Sequence, residues 1–250
     1  MEYTNNENNC CRFRQGLVPV IVIGLSLILS AVVVSATFYK VKALENSLSV
    51  TGSAKKTVVS DSAKWILSFS RPATVSDLKD GYNQMASDLK TVKKFFQDNG
   101  IAETDLVIST IFMDEDYSYN SGYTPKRYNL RQTVELQLND VQKITNLANN
   151  TKTIVDQGVI LSPQAPEYYF TQLPQARIDL LGDAIKDARA RAEKIAESGG
   201  KKVSSLKEAS VGVTQVTSVN SIDVTDYGIY DTSKIDKQVT ITVKATFNLK

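Results

Sequence analysis

The chain has 250 residues, 42% hydrophobic and 22% charged, with 29 Lys and Arg against 27 Asp and Glu; this is the composition of a globular protein with a sizeable core, and it argues against disorder. It has no histidine, which removes the usual general base, the commonest zinc ligand and every Ser-His or Cys-His pair. Taking away the four basic and two acidic residues of the first 43 positions leaves 25 of each sign, and a neutral folded region without a basic block argues against nucleic acid as a partner.

Residues 1–16 read as a short polar tail. Cys10 and Cys11 are the only cysteines, adjacent and outside the folded region. They leave the core without a disulfide or a metal-binding spacing, and fit two reduced cytoplasmic thiols or lipid attachment beside a membrane segment. LVPVIVIGLSLILSAVVVSATFY, residues 17–39, contains no charged residue in 23 positions, enough to cross a hydrocarbon layer about 30 Å thick. Cleaved signals have apolar regions of about 7–15 residues. Although Val34-Ser35-Ala36 would serve as a cleavage site, the length favours an uncleaved, single-pass anchor in the bacterial cytoplasmic membrane. Arg12 and Arg14 precede it and Lys40 and Lys42 follow it, so the charge asymmetry is weak. The short polar N-terminus is the easier end to leave in the cytoplasm. The globular part then faces the periplasm or the cell exterior.

Residues 40–46 link the anchor to the folded region, 47–250. SLSVTGSAKKTVVSDSAKWILSFSRPA reads as one or two strands, with Ala63, Trp65, Leu67 and Phe69 alternating onto one face and Pro72 ending it. A helix follows, carrying Leu78, Tyr82, Met85, Leu89, Val92 and Phe96 at spacings of three and four and stopping at Asn99-Gly100. The strand DLVISTIFMDEDY, the turn-rich SYNSGYTPKR and the strand YNLRQTVELQL complete a first unit at about residues 47–139. A short connecting helix, VQKITNLANN, covers about 141–150.

The second unit, about 164–250, repeats the plan. PEYYFTQ is a strand with apolar side chains on both faces, which suits burial on both sides or an interface. Pro174 opens a long helix. Its apolar stripe is expected at Ile178, Leu181, Ile185, Ala188, Ala192 and Ile195, lying on an antiparallel sheet, and Gly199-Gly200 end it. The mixed charges of DARARAEKIAE then make a solvated face rather than a binding site. KVSSLKEASVGVTQV is the next strand, a loop rich in Asp and Ser runs to about Lys234, and KQVTITVKATFNL closes the fold with Val239, Ile241, Val243, Ala245 and Phe247 alternating. The expected fold is therefore α+β: an N-terminal transmembrane helix, then two related strand-helix-strand-strand units with antiparallel sheets.

Little in the chain points to chemistry. Asp114, Glu115 and Asp116 lack the alternating ligands and terminal Glu of a calcium loop and read as an acidic strand end. No GxGxxG, P-loop, GxSxG or HExxH pattern occurs, so no catalytic residue, cofactor or metal ligand is assigned. Tyr117, Tyr119, Tyr123 and Tyr128, in and beside the turn-rich loop, form a candidate interaction loop, since exposed tyrosines often serve contacts.

With these residues in view, the chain resembles the SIMPL-domain family, the bacterial periplasmic and outer-membrane immunogenic protein group, over roughly residues 47–249. The resemblance rests on LSVTGSAKKTVVSDSAKW, NGIAETDLVIST, YNLRQTVELQL and above all DAIKDARARAEKIAESGGKKVSSLKEASVG. Ala54 in VTGSA departs from the glycine frequent there, a subgroup variation. The resemblance implies a cell-envelope protein without established enzymatic activity. Some relatives form large ring or channel-like assemblies and others are associated with tolerance of oxidative stress. The leading expectation is a non-enzymatic homo-oligomer that self-associates through strand edges and loops. The alternative is a monomeric binding module that takes a protein or cell-wall ligand through the tyrosine loop.

Overall fold

The computed structural model describes residues 8–43, 46–116, 126–223 and 225–250. A helix, α1, runs from Asn8 to Ala43, and Pro19–Lys42 within it has a mean hydropathy of 2.6 over its most apolar window, with none of that window buried. Such a helix is long and apolar enough to cross a membrane. The helix begins nine residues before the expected 17–39 segment and ends four after it, and its apolar span is shifted two to three residues toward the C-terminus relative to that segment.

The fold after α1 is α+β with antiparallel sheets, as expected. Strands β1 (Ser47–Val59) and β2 (Ser62–Thr74) precede helix α2 (Leu78–Asp98). Next come β3 (Leu106–Ile108), β4 (Phe112–Glu115), β5 (Arg127–Leu138) and the short helices α3 (Val141–Asn149) and α4 (Lys152–Val155). Strands β6 (Leu161–Pro163) and β7 (Glu167–Tyr169) lead to α5 (Leu173–Ser198), β8 (Val203–Val211), β9 (Gln215–Ser218) and β10 (Asp236–Leu249). One sheet has the order β3-β5-β2-β6, with β4 also on β5 and β7 also on β2; the other has the order β1-β10-β8, with β9 also on β10.

Two compact units divide the chain. The larger comprises Gly52–Asp187 and Val211–Val243. Its centre is the full-length pairing of β2 with β5, from Ala63 opposite Leu138 to Thr74 opposite Arg127. The alternation read from the sequence puts Ala63, Trp65, Leu67 and Phe69 inward, and they are buried with Leu130, Val134 and Leu136 of β5. From α2 come Met85, Val92, Phe95 and Phe96, with Trp65 edge-on to Phe96 at 5.9 Å between centroids. Gly81 lets α2 come close: a Cβ there would lie 3.0 Å from both Ala73 Cβ and Leu130 Cδ1. Asp88, on the buried side of α2, accepts from Arg71 Nε and Nη2 at 2.6 and 2.9 Å. Arg71 Nη2 also donates to the Gly158 carbonyl at 2.6 Å, tying β2, α2 and the turn after α4 at one point.

The smaller unit comprises the segments up to Thr51, Ala188–Ser210 and Lys244–Lys250. Here Lys202 and Lys250 exchange backbone hydrogen bonds at 2.9 and 2.8 Å, and Leu249 N–H donates to the Asn46 carbonyl at 2.8 Å.

Both long helices end as the sequence predicts. Gly100 and Gly200 have φ of +70° and +69°, and the following N–H reaches back to close the last turn, Ile101 to Phe96 O at 2.9 Å and Lys201 to Ala196 O at 2.8 Å. Only the residue with φ positive needs to be glycine there.

Three boundaries differ from those expected. Strand β2 runs through Pro72 to Thr74, and Pro72 lies past the pairing with β6 at Leu67–Phe69, where a missing N–H is tolerated. DLVISTIFMDEDY is broken into β3 and β4, both on β5, and KVSSLKEASVGVTQV into β8 and β9, both on β10. Two further expectations need correcting. The buried line on α5 is Leu173, Ala176, Leu180, Ala184, Ala188, Ala192 and Ala196, while Ile178 and Ile195 are 65% and 53% exposed and Leu181 and Ile185 half-buried. The expected stripe is thus rotated about the helix. A ladder of small residues at i, i+4 permits close approach, and that outweighs the larger but scattered isoleucines. The second correction concerns pairing. The stretch PEYYF does not open a second sheet: its β7 pairs with β2, Ser62 opposite Tyr169 and Lys64 opposite Glu167. The place beside β10 that matches β2 beside β5 is filled by β1. The chain passes from β1 to β2 through Ser60 and Asp61, and those residues are pinned there: Ser60 N–H and Oγ–H both donate to Ile235 O at 2.9 Å, and Asp61 accepts from Thr171 N–H and Oγ1–H at 2.8 and 2.9 Å.

Candidate functional site

Of the four tyrosines in the candidate interaction loop, Tyr117, Tyr119 and Tyr123 lie outside the described residues. Tyr128 is half-buried in β5, opposite Ala73 of β2 and Glu115 of β4. Beside it is a depression of about 420 Å³ lined by Pro72, Asp114, Glu115, Asp116, Arg127, Tyr128 and Asn129. The acidic run that feeds this depression is matched by cations across the hairpin: Glu115 meets Lys126 at 3.1 Å and Asp114 meets Arg131 at 3.4 Å. That is the chemistry of an acidic strand end.

A group of interacting titratable side chains lies elsewhere in the larger unit, where β7 and the segment after β9 meet. Lys64 of β2 and Glu167 of β7 stand opposite each other, with Nζ and Oε2 2.9 Å apart. The Tyr169 hydroxyl donates to the same Glu167 oxygen at 2.6 Å. These contacts hold the Glu167 carboxyl below its ordinary value, the Tyr169 hydroxyl bond being the largest cause and Lys64 the next. Reciprocally, Glu167 raises both the Lys64 ammonium and the Tyr169 phenol. Tyr169 stacks on Tyr230 at 6.1 Å and 30°, and the Tyr230 hydroxyl accepts the Phe170 N–H at 2.8 Å.

Past Tyr230 the ladder ends on Lys237, which is wholly buried. Its ammonium donates to the carbonyls of Asp231 and Lys234, the latter at 2.8 Å, and lies 5.5 Å from the centre of the Tyr230 ring. Burial pushes the Lys237 pKa down, opposed by the nearby Asp231 charge. Asp231 is itself held low, chiefly by the Ser233 hydroxyl and then by the Ser233 N–H. A groove of about 540 Å³ opens beside this segment, lined by Tyr168, Ser218, Val219, Ser233, Lys234, Ile235 and Asp236.

Chemically this ladder is a clamp. Lys237 spends its protons on backbone carbonyls and has no path to a substrate from its buried position. Glu167 stays ionised and Tyr169 stays protonated at neutral pH, so neither is poised to exchange a proton there. The clamp was legible at one residue. Lys237 stands two positions before Val239 in a strand of period two, so the pattern that turns Val239 and Ile241 inward turns Lys237 inward as well. Buried lysines are rare without partners, and that conflict was the signal.

The model of the SIMPL family, described as a protein of unknown function (DUF541), matches residues 48–247. The chain belongs to the SIMPL family. No curated protein matches it. The SIMPL region takes in all or nearly all of every strand of both sheets and the whole clamp from Lys64 to Lys237, and starts beyond α1. The SIMPL description assigns no activity.

Proposed function

We propose that the chain is a single-pass envelope protein, held in the bacterial cytoplasmic membrane by α1 with its SIMPL region on the periplasmic or outer side, that acts by assembling with copies of itself rather than by catalysis. The observation that supports this reading is β8. It stands at the end of its sheet, and its side chains from Ser205 to Val211 are all exposed. An exposed strand at a sheet end offers a row of N–H and C=O groups to another chain. Elsewhere in the same sheet some of these groups are already taken. The outer side of β9 carries the 229–231 segment, through Val216 N–H to Ile229 O and Asp231 N–H to Val216 O, both 2.8 Å. The Ser53 N–H of β1 is taken by the Asp187 carboxylate at 2.8 Å. Copies anchored in one membrane are related by rotation about its normal, so edge contacts between them close into rings. A role in envelope or oxidative stress tolerance enters through the family resemblance, and predicts a deletion strain sensitised to peroxide and restored by the full chain.

The test is light scattering coupled to size exclusion on the detergent-solubilised chain. Lys202 N–H points to β10, so by the alternation of a strand Ser205 N–H points away from it. Ser205→Pro therefore removes an outward donor and spares the ladder. The expected result is a discrete oligomer for the natural chain and monomers for Ser205→Pro at an unchanged urea midpoint. A monomeric natural chain at every concentration sinks the proposal.

A further inference from the structure

The last residue of α1 is Ala43 and the first of β1 is Ser47. The residues between them span at most about 14 Å even when fully extended, at roughly 3.5 Å each. The start of β1 is therefore held near the end of α1 whatever path those residues take. Asn46 is fixed on the sheet side of this link. Its carbonyl accepts Leu249 N–H at 2.8 Å and its side-chain oxygen accepts from Lys201 Nζ at 2.7 Å. Lys202 and Lys250 are joined by their mutual backbone bonds at the same end. Three exposed lysines, Lys201, Lys202 and Lys250, are thus held at the sheet end nearest the anchor. Lys40 and Lys42, both exposed, occupy the last turn of α1 itself.

Among the described residues, the acids nearby do not cancel this charge. A concave surface of about 750 Å³ beside Lys201 and Lys202 is also lined by Glu193, Lys194 and Glu197. Glu193 is already paired with Arg189 at 2.9 Å, and Glu197 with Lys194 at 3.2 Å. Among the described residues, none of Lys40, Lys42, Lys202 and Lys250 lies in an ion pair. The domain as a whole is neutral, so a local excess at the anchor end is a matter of placement.

We propose that this end of the smaller unit is a docking surface for anionic phospholipid headgroups, with Lys201, Lys202 and Lys250 taking the headgroup phosphates and Lys40 and Lys42 flanking them at the membrane boundary. The inference rests on α1 being a membrane anchor. Phosphate fits because an ammonium binds it as a point charge without demanding planar geometry. A negative leaflet also attracts several lysines at once. Each lysine at such a surface contributes about fivefold to partitioning, so the three sheet-end lysines together account for roughly a hundredfold preference for the docked arrangement. Docking would hold the SIMPL region against the bilayer instead of leaving it to swing on a short link.

The experiment reconstitutes the full chain into nanodiscs of phosphatidylcholine alone or of phosphatidylcholine mixed with phosphatidylglycerol. Acetylation of individual lysines is then followed by mass spectrometry. Lys79 and Lys90, exposed on α2, serve as internal references. Lys201, Lys202 and Lys250 are expected to label several-fold more slowly in the anionic discs, with the protection removed by high salt and abolished for Lys250 by Lys201→Glu/Lys202→Glu. Equal labelling in both discs overturns the proposal while leaving the anchor intact. Equal protection on adding inorganic phosphate to phosphatidylcholine discs overturns it too, since the ligand is then free phosphate and not a lipid. Extraction of the chain from membranes by alkaline carbonate instead removes the anchor reading on which it stands.

Discussion

Asp88→Ala strands Arg71, and the size of the loss can be worked from the geometry. The guanidinium gives Asp88 two hydrogen bonds, at 2.6 and 2.9 Å, and the Asp88 side chain is only 7% exposed. Removing one partner of a buried ion pair costs about 3–5 kcal/mol, because the remaining charge stays in a poorly polarisable interior. Two features lower that here. The Arg71 side chain keeps 21% of its surface in water, and its Nη2 retains the Gly158 carbonyl. We expect a loss of about 2–3 kcal/mol, close to the cost of two charge-assisted bonds less what water returns. The double variant Arg71→Met/Asp88→Leu removes both charges and fills the space with apolar groups. Gly158 is exposed, so water replaces its lost donor, and the double variant should lie within about 1 kcal/mol of the natural protein. The assay is urea unfolding in detergent, followed by the emission of Trp65. It is the chain's single tryptophan, and its indole N–H donates to Gln164 O at 2.9 Å from within the same core. An Asp88→Ala midpoint equal to the natural one refutes the buried-pair account. A double variant as unstable as the single refutes the claim that the stranded cation is the cause.

Tyr169→Phe deletes the bond that lowers the Glu167 carboxyl most, so its titration followed by carboxyl-carbon NMR should move up toward 4.5 while Lys64 keeps part of the depression; an unmoved titration contradicts the assignment. Glu167 and Asp231 both have lowered folded pKa values, from ordinary values of 4.5 and 3.8. Their contribution is therefore complete above those values and is lost as pH falls through the lowered ones, so the urea midpoint should start to fall below about pH 4.5, and a flat midpoint into strong acid would count against it. Lys237→Met leaves the Asp231 and Lys234 carbonyls without their ammonium; amides of residues 229–236 should exchange faster while those of β2 and β5 keep their protection, and unchanged exchange means that Lys237 does not hold the segment.

What could be read in the sequence was what a periodic pattern and a cap specify together. Helix α2 was bounded correctly because its apolar spacing and the Asn99-Gly100 stop agree, and β5 and β10 because alternation persists over many residues. The inward face of β2 was legible for the same reason, but not its end, which lies past Pro72 at Thr74. Tyr82 nonetheless faces water at 40% exposure, since a stripe names a face and not the depth of each position. The rotation of α5 was hidden because hydrophobicity favours isoleucine over alanine, whereas packing here rewards small side chains at i, i+4. The partner of β7 was hidden because a strand's own residues say nothing about which neighbour it joins, and a repeat of element order suggested a repeat of pairing. Lys237 is visible in its register, as the first residue of KQVTITVKATFNL, but the alternating residues read as inward start only at Val239.

That exchange of strands fixes where the chain can be cut. The sheet β3-β5-β2-β6, with β4 and β7, is built from the continuous stretch between Ser62 and Tyr169. Every buried member of its core cluster lies between Ala63 and Tyr168, and Ile235 is the one partly buried contributor from further along among the described residues. A cut after residue 139, at the apparent end of the first repeat, discards Ile144, Leu147, Ile154, Val159 and Tyr168, all buried in that cluster. It keeps β1, whose ladder is with β10. Fragment 60–171 should therefore unfold cooperatively in urea with Trp65 buried, at some cost for the missing Thr232 and Ile235 carbonyls that Tyr168 N–H and Ser60 N–H donate to. Fragment 47–139 should show solvent-exposed Trp65 emission and no cooperative transition. A core of this size in about 110 residues is within the range that folds alone. Cooperative unfolding of 47–139, or an exposed tryptophan in 60–171, would mean that the sequence repeat marks the folding boundary after all and that the β7–β2 pairing does not.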